Sequence, residues 1–67
     1  MSTIVNSIRK ARRQKKLTQE KLADKIGVTR QTIIALEKGN YTPSVMLALK
    51  ISKFFKVKVE DLFKIKR

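Results

Sequence analysis

The chain has no cysteine and no histidine among its 67 residues. That excludes a disulfide staple, a thiolate nucleophile, an imidazole base and the usual ligands of zinc or haem, so neither a metal nor a cofactor is expected. Acids are scarce too: Glu20, Asp24, Glu37, Glu60 and Asp61 are all five of them. They sit among cations on predicted helices, without the spacing of a metal site or of a general acid–base pair. They read as structural, and the chain is not expected to be an enzyme. One proline, two glycines and no repeat or low-complexity tract leave no candidate interdomain linker. No run approaches the roughly 20 apolar residues of a membrane span. The segment Met-Ser-Thr-Ile-Val-Asn-Ser-Ile lacks the charged-then-apolar order of a signal peptide. A soluble cytoplasmic protein with no membrane partner and no evident small-molecule ligand follows as the expectation.

What is abundant is positive charge: 17 lysines and arginines give the chain a net charge of +12. A hydrophobic fraction of 42 % is enough for a packed core, so the charge does not by itself imply disorder. The length fits one domain over residues 1–67, which at this size buries only about 60 % of its unfolded surface.

The apolar spacing predicts five helices. The first runs from Thr3 to Lys16, with Ile4, Ile8 and Ala11 inward and six cations within Arg9 to Lys16. Thr18 offers an N-cap to the second, whose inner stripe is Leu22, Ala23 and Ile26 and which Gly27 ends as a left-handed residue. Val28 enters the core at the turn. Thr29 caps the third, with Ile33 and Leu36 inward, Arg30, Gln31, Ile34, Ala35 and Lys38 outward, and Gly39 as its stop. Asn40-Tyr41-Thr42 forms a loop, and Pro43 suits the first turn of a fourth helix reaching about Phe55, with Leu47 or Ala48, Ile51 and Phe55 inward. After a break at 56–58, Val59 to Phe63 gives a short fifth helix with acids in its first turn. The fold class is therefore all-α and compact.

Residues 18–39 place two short amphipathic helices around a glycine that adopts positive φ without a Cβ penalty, inside a strongly basic chain. That pattern predicts a helix-turn-helix aimed at DNA. The segments Leu-Thr-Gln-Glu-Lys-Leu-Ala (17–23), Gly-Val-Thr-Arg-Gln-Thr-Ile (27–33), Leu-Glu-Lys-Gly (36–39), Pro-Ser (43–44) and Val-Glu-Asp-Leu-Phe (59–63) resemble the lambda-repressor-like, Xre or Cro-type helix-turn-helix family, in order and over nearly the whole chain.

The resemblance implies that the second motif helix, 30–38, sets its N-terminal residues against base edges in the major groove of double-stranded DNA, the arrangement known from phage repressors. Carried over by position, Arg30, Gln31 and Thr32 are the leading base readers. Gln31 suits adenine, and Arg30 suits guanine or, alternatively, a phosphate. Ile34 and Ala35 either meet thymine methyls or stay half exposed. Gln19, Thr29, Lys38, Tyr41 and Arg12 are the implied phosphate contacts. Arg12 and Glu37 also match positions that form an ion pair between the first helix and the end of the third. Ala11 stands where the family often has leucine. Lys16 and Lys56 replace its usual glycine or asparagine, so Lys56 is expected at positive φ.

A homodimer on a pseudo-palindromic operator is implied, with residues 57–67 as its expected interface. Val59, Phe63 and Ile65 offer the apolar surface there, unless Leu62 and Phe63 merely close the monomer core. Steric occlusion of a promoter makes repression the default. An antitoxin that binds its own promoter and a toxin partner is the alternative.

Overall fold

The computed structural model describes residues 3–66. Five helices are present, α1 (Ile8–Gln14), α2 (Gln19–Ile26), α3 (Arg30–Lys38), α4 (Val45–Phe55) and α5 (Val59–Leu62), flanked by two strands, β1 (Thr3–Asn6) and β2 (Phe63–Lys66). The interior is apolar and contributed by every helix: Ile8, Leu22, Ala23, Ile26, Ile33, Leu36, Leu47, Ile51, Phe55 and Leu62 form one cluster. Ala11, Val28, Phe54 and Phe63 pack against it, half-buried.

Helix starts follow the hydroxyl caps. Thr18 accepts the Lys21 N–H at 3.0 Å, Thr29 that of Thr32 at 3.3 Å and Ser44 that of Leu47 at 3.1 Å. Each oxygen satisfies one of the N–H groups that a helix start leaves without an intrahelical partner. The last cap corrects an expectation. Ser44, rather than Pro43, begins the fourth helix, because an extended Ser44 with a free hydroxyl caps Leu47 while Pro43 stays in the preceding loop. Helix ends use left-handed residues: Gly27 at φ 90° and Gly39 at φ 79°, but also Lys16 at φ 57° and Lys56 at φ 58°. Lys56 was foreseen from its place in the pattern, and Lys16 does the same after α1.

The two ends of the chain depart from the sequence reading. The segment expected as the first turn of helix one is β1, and Phe63, expected to finish helix five, begins β2. The strands pair antiparallel with Thr3 opposite Lys66, Ile4 opposite Ile65, Val5 opposite Lys64 and Asn6 opposite Phe63. Local chemistry favours this outcome. Ile4 and Val5 are β-branched and suit a pleated surface, and Asn6 stops the strand by turning its side chain on the backbone. Its Oδ1 accepts the Ile8 N–H at 3.1 Å and its Nδ2 donates to the Leu36 carbonyl at 2.9 Å. Ser7 N–H then donates to the Leu62 carbonyl at 3.0 Å, tying the start of α1 to the end of α5. The architecture remains helical, with the small ribbon added. Ser52, on α4, buries a hydroxyl that finds no partner among the described residues.

Candidate nucleic-acid interface

The turn between α2 and α3 is built by one residue. At Gly27 the chain takes a left-handed conformation, and the Gly27 and Val28 N–H groups both return to the Ala23 carbonyl, at 2.8 and 3.0 Å. Val28 is thereby folded back toward the core and Thr29 is left extended, ready to cap α3. A Cβ at position 27 would meet no atom within 4 Å, so the requirement for glycine comes from backbone conformation and not from crowding.

Leu36 and Ile33 anchor the inner side of α3 at full burial, and the outer side divides in two. Arg30, Gln31 and Lys38 are exposed, whereas Thr32, Ile34 and Ala35 are half-buried. The Thr32 hydroxyl lies 3.1 Å from that of Thr29, so both threonines help to close the helix start as well as facing outward from it. Tyr41 is exposed in the loop after α3. The base-reading set proposed from sequence is thus gathered on one nine-residue helix, with Arg30 and Gln31 exposed at its N-terminal end and Lys38 at its C-terminal end.

Beneath this helix lies a polar network. The Glu37 carboxylate, with a side chain only 1 % exposed, accepts from Arg12 Nε at 2.6 Å and from Arg12 Nη2 at 3.1 Å. The forked geometry matches a planar guanidinium to a planar carboxylate, the strongest form of this pair. Arg12 Nη1 donates onward to the Leu17 carbonyl at 2.7 Å, and Gln19 Nε2 donates to Glu37 Oε1 at 3.1 Å. Arg9 adds a longer approach, Nε to Oε1 at 3.6 Å. Burial alone would push the Glu37 carboxyl up. The hydrogen bonds from Arg12 and Gln19 and the charges of Arg12 and Arg9 outweigh it and hold the group below the usual carboxylate range. The hydrogen bond to Glu37 likewise raises Arg12. The ion pair expected from the family pattern is present, and it ties α1 to the end of α3.

The structure therefore places Arg12 as a brace behind the surface, with three of its nitrogens engaged inside the protein. Gln19 stands at the first position of α2, half-buried and attached to the same carboxylate. The six cations from Arg9 to Lys16 are dispersed around α1 and the turn after it: Arg12 is internal, Arg9 leans on Glu37, and Lys15 lies over the Phe54 ring with Nζ 6.0 Å from its centroid. Lys10, Arg13 and Lys16 face solvent. Sequence reasoning missed the Gln19–Glu37 and Asn6–Leu36 bonds. The available signal was the isolation of Glu37, the one acid of α3.

No group of acidic residues that could hold a metal ion occurs among the described residues, and none of the described helices is long and apolar enough to cross a membrane.

Comparison with known proteins agrees with this geometry. A family profile described as Helix-turn-helix (HTH_3) matches residues 8–62. An HTH-type transcriptional regulator of Methanocaldococcus jannaschii is 60 % identical over 58 residues, which cover 87 % of this chain and 88 % of the relative. The Bacillus subtilis HTH-type transcriptional regulator YgzD is 52 % identical over 58 residues, with the same coverage of each. The transcriptional repressor RstR of a cryptic CTXphi phage in Vibrio cholerae is 37 % identical over 57 residues, which are 85 % of this chain but 51 % of RstR. Among solved structures, the restriction-modification controller protein C.AhdI of Aeromonas hydrophila superposes with a TM-score of 0.73 at 28 % identity, over 81 % of this chain and 78 % of that one. The chain that folds Gly27 into this turn and presents α3 outward belongs to the HTH_3 helix-turn-helix family of DNA-binding transcription regulators.

Proposed function

We propose that the protein is a sequence-specific regulator that reads the major groove of double-stranded DNA with α3 and acts as a homodimer on an inverted repeat. The observation that carries the reading is the N-terminal end of α3, where Arg30 and Gln31 are exposed directly after the Thr29 cap. A glutamine amide pairs bidentately with adenine and a guanidinium with guanine, each worth about 1–3 kcal/mol of discrimination. Thr32, Ile34 and Ala35 complete the reading face at lower exposure. Gln19, Thr29, Lys38 and Tyr41 frame it as phosphate contacts, and Arg12 supports it from below. The +12 charge supplies long-range attraction to the duplex.

The dimer surface we assign keeps Val59 and Phe63 from the tail 57–67 expected from sequence and adds residues of β1, α4 and the loop before α4. Leu62 is buried, Phe63 packs on the core and the strand 63–66 is paired with β1, while Val57 and Ile65 remain exposed. What stays open is an apolar groove of about 210 Å³ between the ribbon, α4 and α5, lined by Ile4, Pro43, Val45, Leu49, Val59 and Phe63 among others. Val45 and Leu49 are 77 % and 54 % exposed. Among the described residues no charged one lines the groove, although the chain carries 17 cations, so two copies can meet there with little mutual repulsion. A second copy on this face would pair the two reading helices by a two-fold axis, the symmetry that half-sites roughly 34 Å apart call for. Repression by occluding a promoter is the simplest output, and the kinship with RstR supports it.

Selection from a randomised duplex pool at about 150 mM salt, where nonspecific attraction is screened, tests the whole reading. An inverted repeat is expected, with specificity relaxed at one position in each half by Gln31→Ala. Binding that only fades with salt, with no repeat recovered, would overturn it. The dimer is tested separately by sedimentation. Leu49→Glu, at an exposed position, should leave the fold intact, yield a monomer and weaken operator binding at least about tenfold, since burial of a charge at an interface opposes association. An unchanged sedimentation coefficient would remove the groove from the interface.

A further inference from the structure

We infer that Glu37 is a positioning residue for DNA binding: its buried carboxylate holds the Gln19 amide in the one orientation that offers an N–H outward to a phosphate. The inference rests on the reading of Gln19 as a phosphate contact and adds to it what sets that contact. The Arg12–Glu37 pair is complete without Gln19, because the guanidinium already donates to both carboxylate oxygens, at 2.6 and 3.1 Å. Gln19 is a third donor, at 3.1 Å to Oε1. Besides helping to offset the burial of the carboxylate, this third bond fixes the Gln19 amide itself.

The chemistry of the contact fixes the side chain. A glutamine amide has two ends of nearly equal shape, and its orientation in solution is ordinarily free. A carboxylate is an acceptor only, so the nitrogen must face Glu37 and the carbonyl cannot. One Nε2 hydrogen is then used inside the protein and the second remains for a ligand. Gln19 begins α2 directly after the Thr18 cap, where the unpaired backbone N–H groups of a helix start also favour an anion. A long polar side chain costs entropy to immobilise on binding. Here Glu37 has already immobilised it in the free protein, so the contact is preorganised. Because Glu37 stands one residue before the last of α3, the same carboxylate sets the amide at the start of α2 relative to the reading helix.

A double-mutant cycle tests the coupling, read by fluorescence anisotropy on a labelled mixed-sequence duplex at low salt, where phosphate contacts dominate and no operator is needed. Gln19→Ala and Glu37→Gln should each weaken binding about three- to tenfold, the worth of one hydrogen bond, and the double variant should be no weaker than Gln19→Ala alone. Losses that multiply, or a Glu37→Gln protein that binds as wild type, overturn the inference. Unimpaired binding by Gln19→Ala removes the phosphate contact itself, and the inference with it, which marks that failure as distinct. Should Glu37→Gln fail to fold, the wild-type protein decides. Its Gln19 side-chain amide protons should exchange with water measurably more slowly than those of the exposed Gln14 and Gln31, and equal rates overturn the proposal.

Discussion

At the scale of single residues, four left-handed positions close four segments, and they are not equivalent. Gly27 has open space where a Cβ would stand, so Gly27→Ala should destabilise only through its backbone, by about 1 kcal/mol. Lys56 already bears that cost. Lys56→Gly should therefore raise the urea midpoint by the equivalent of about 0.5–1 kcal/mol, reduced somewhat by the larger entropy of glycine in the unfolded chain. Equal and opposite shifts in the two variants would show that dihedral strain is the common cause. A loss of stability in Lys56→Gly would show instead that its side chain makes a contact worth more than the strain.

At the scale of elements, the α2–α3 pairing depends on a small residue. Ala23 is 2 % exposed beside Leu22 and Ile26, and Ile33 and Leu36 fill the facing side of α3 without a residual surface. Ala23→Leu should cost about 1–3 kcal/mol by forcing the helices apart, visible as a lower thermal midpoint and as weaker DNA binding when α3 is tilted from its seat. Unchanged stability would mean that the two helices have room to spare at this point. This pairing was legible in the sequence, because capping threonines, a helical apolar stripe and a glycine stop are all local signals. The strands were not. Ile4 and Ile8 have helical spacing by coincidence, and what makes Ile4 extended is its pairing with Ile65, near the other end of the sequence, together with the turn that Asn6 makes on the backbones of Ile8 and Leu36. Pattern reading along a chain carries no term for such a distant partner. Folding divides residues 57–67 in the same non-local way: Leu62 and Phe63 close the core and β2 pairs with β1, while Val57 and Ile65 stay exposed. In the site, the outward residues of α3 followed from period alone, whereas the attachment of Gln19 to Glu37 depends on two helices meeting and leaves no local mark.

At the scale of the whole molecule, the balance of charge makes acid the sensitive direction. Glu37 lies below its usual range in the folded protein and returns to about 4.3 in the unfolded chain. The unfolded state therefore binds its proton more readily. The stabilisation from Glu37 is fully present above about pH 5 and is lost as the pH falls through the folded value. Denaturant midpoints between pH 7 and pH 3 should fall for the wild-type protein and fall less steeply for Glu37→Gln, which starts from a lower stability. Parallel curves would assign the acid response to the other four carboxylates. Repulsion among the 17 cations acts in the same direction, since protonating acids removes the only charges that offset them.

The strand ribbon also sets an order of events during synthesis. β1 leaves the ribosome long before β2, and it has no partner until residues 63–66 emerge. The helix-turn-helix lies wholly ahead of β2 in the chain, and Phe63 then packs on the core that carries it. Ile4 of β1 and Phe63 of β2 come together as walls of the same groove only once the two strands have paired. On the proposed dimer, a chain stopped before β2 would carry a reading helix but lack the Phe63 wall of the groove, and it should pair and hold an operator less tightly than one translated through Lys66.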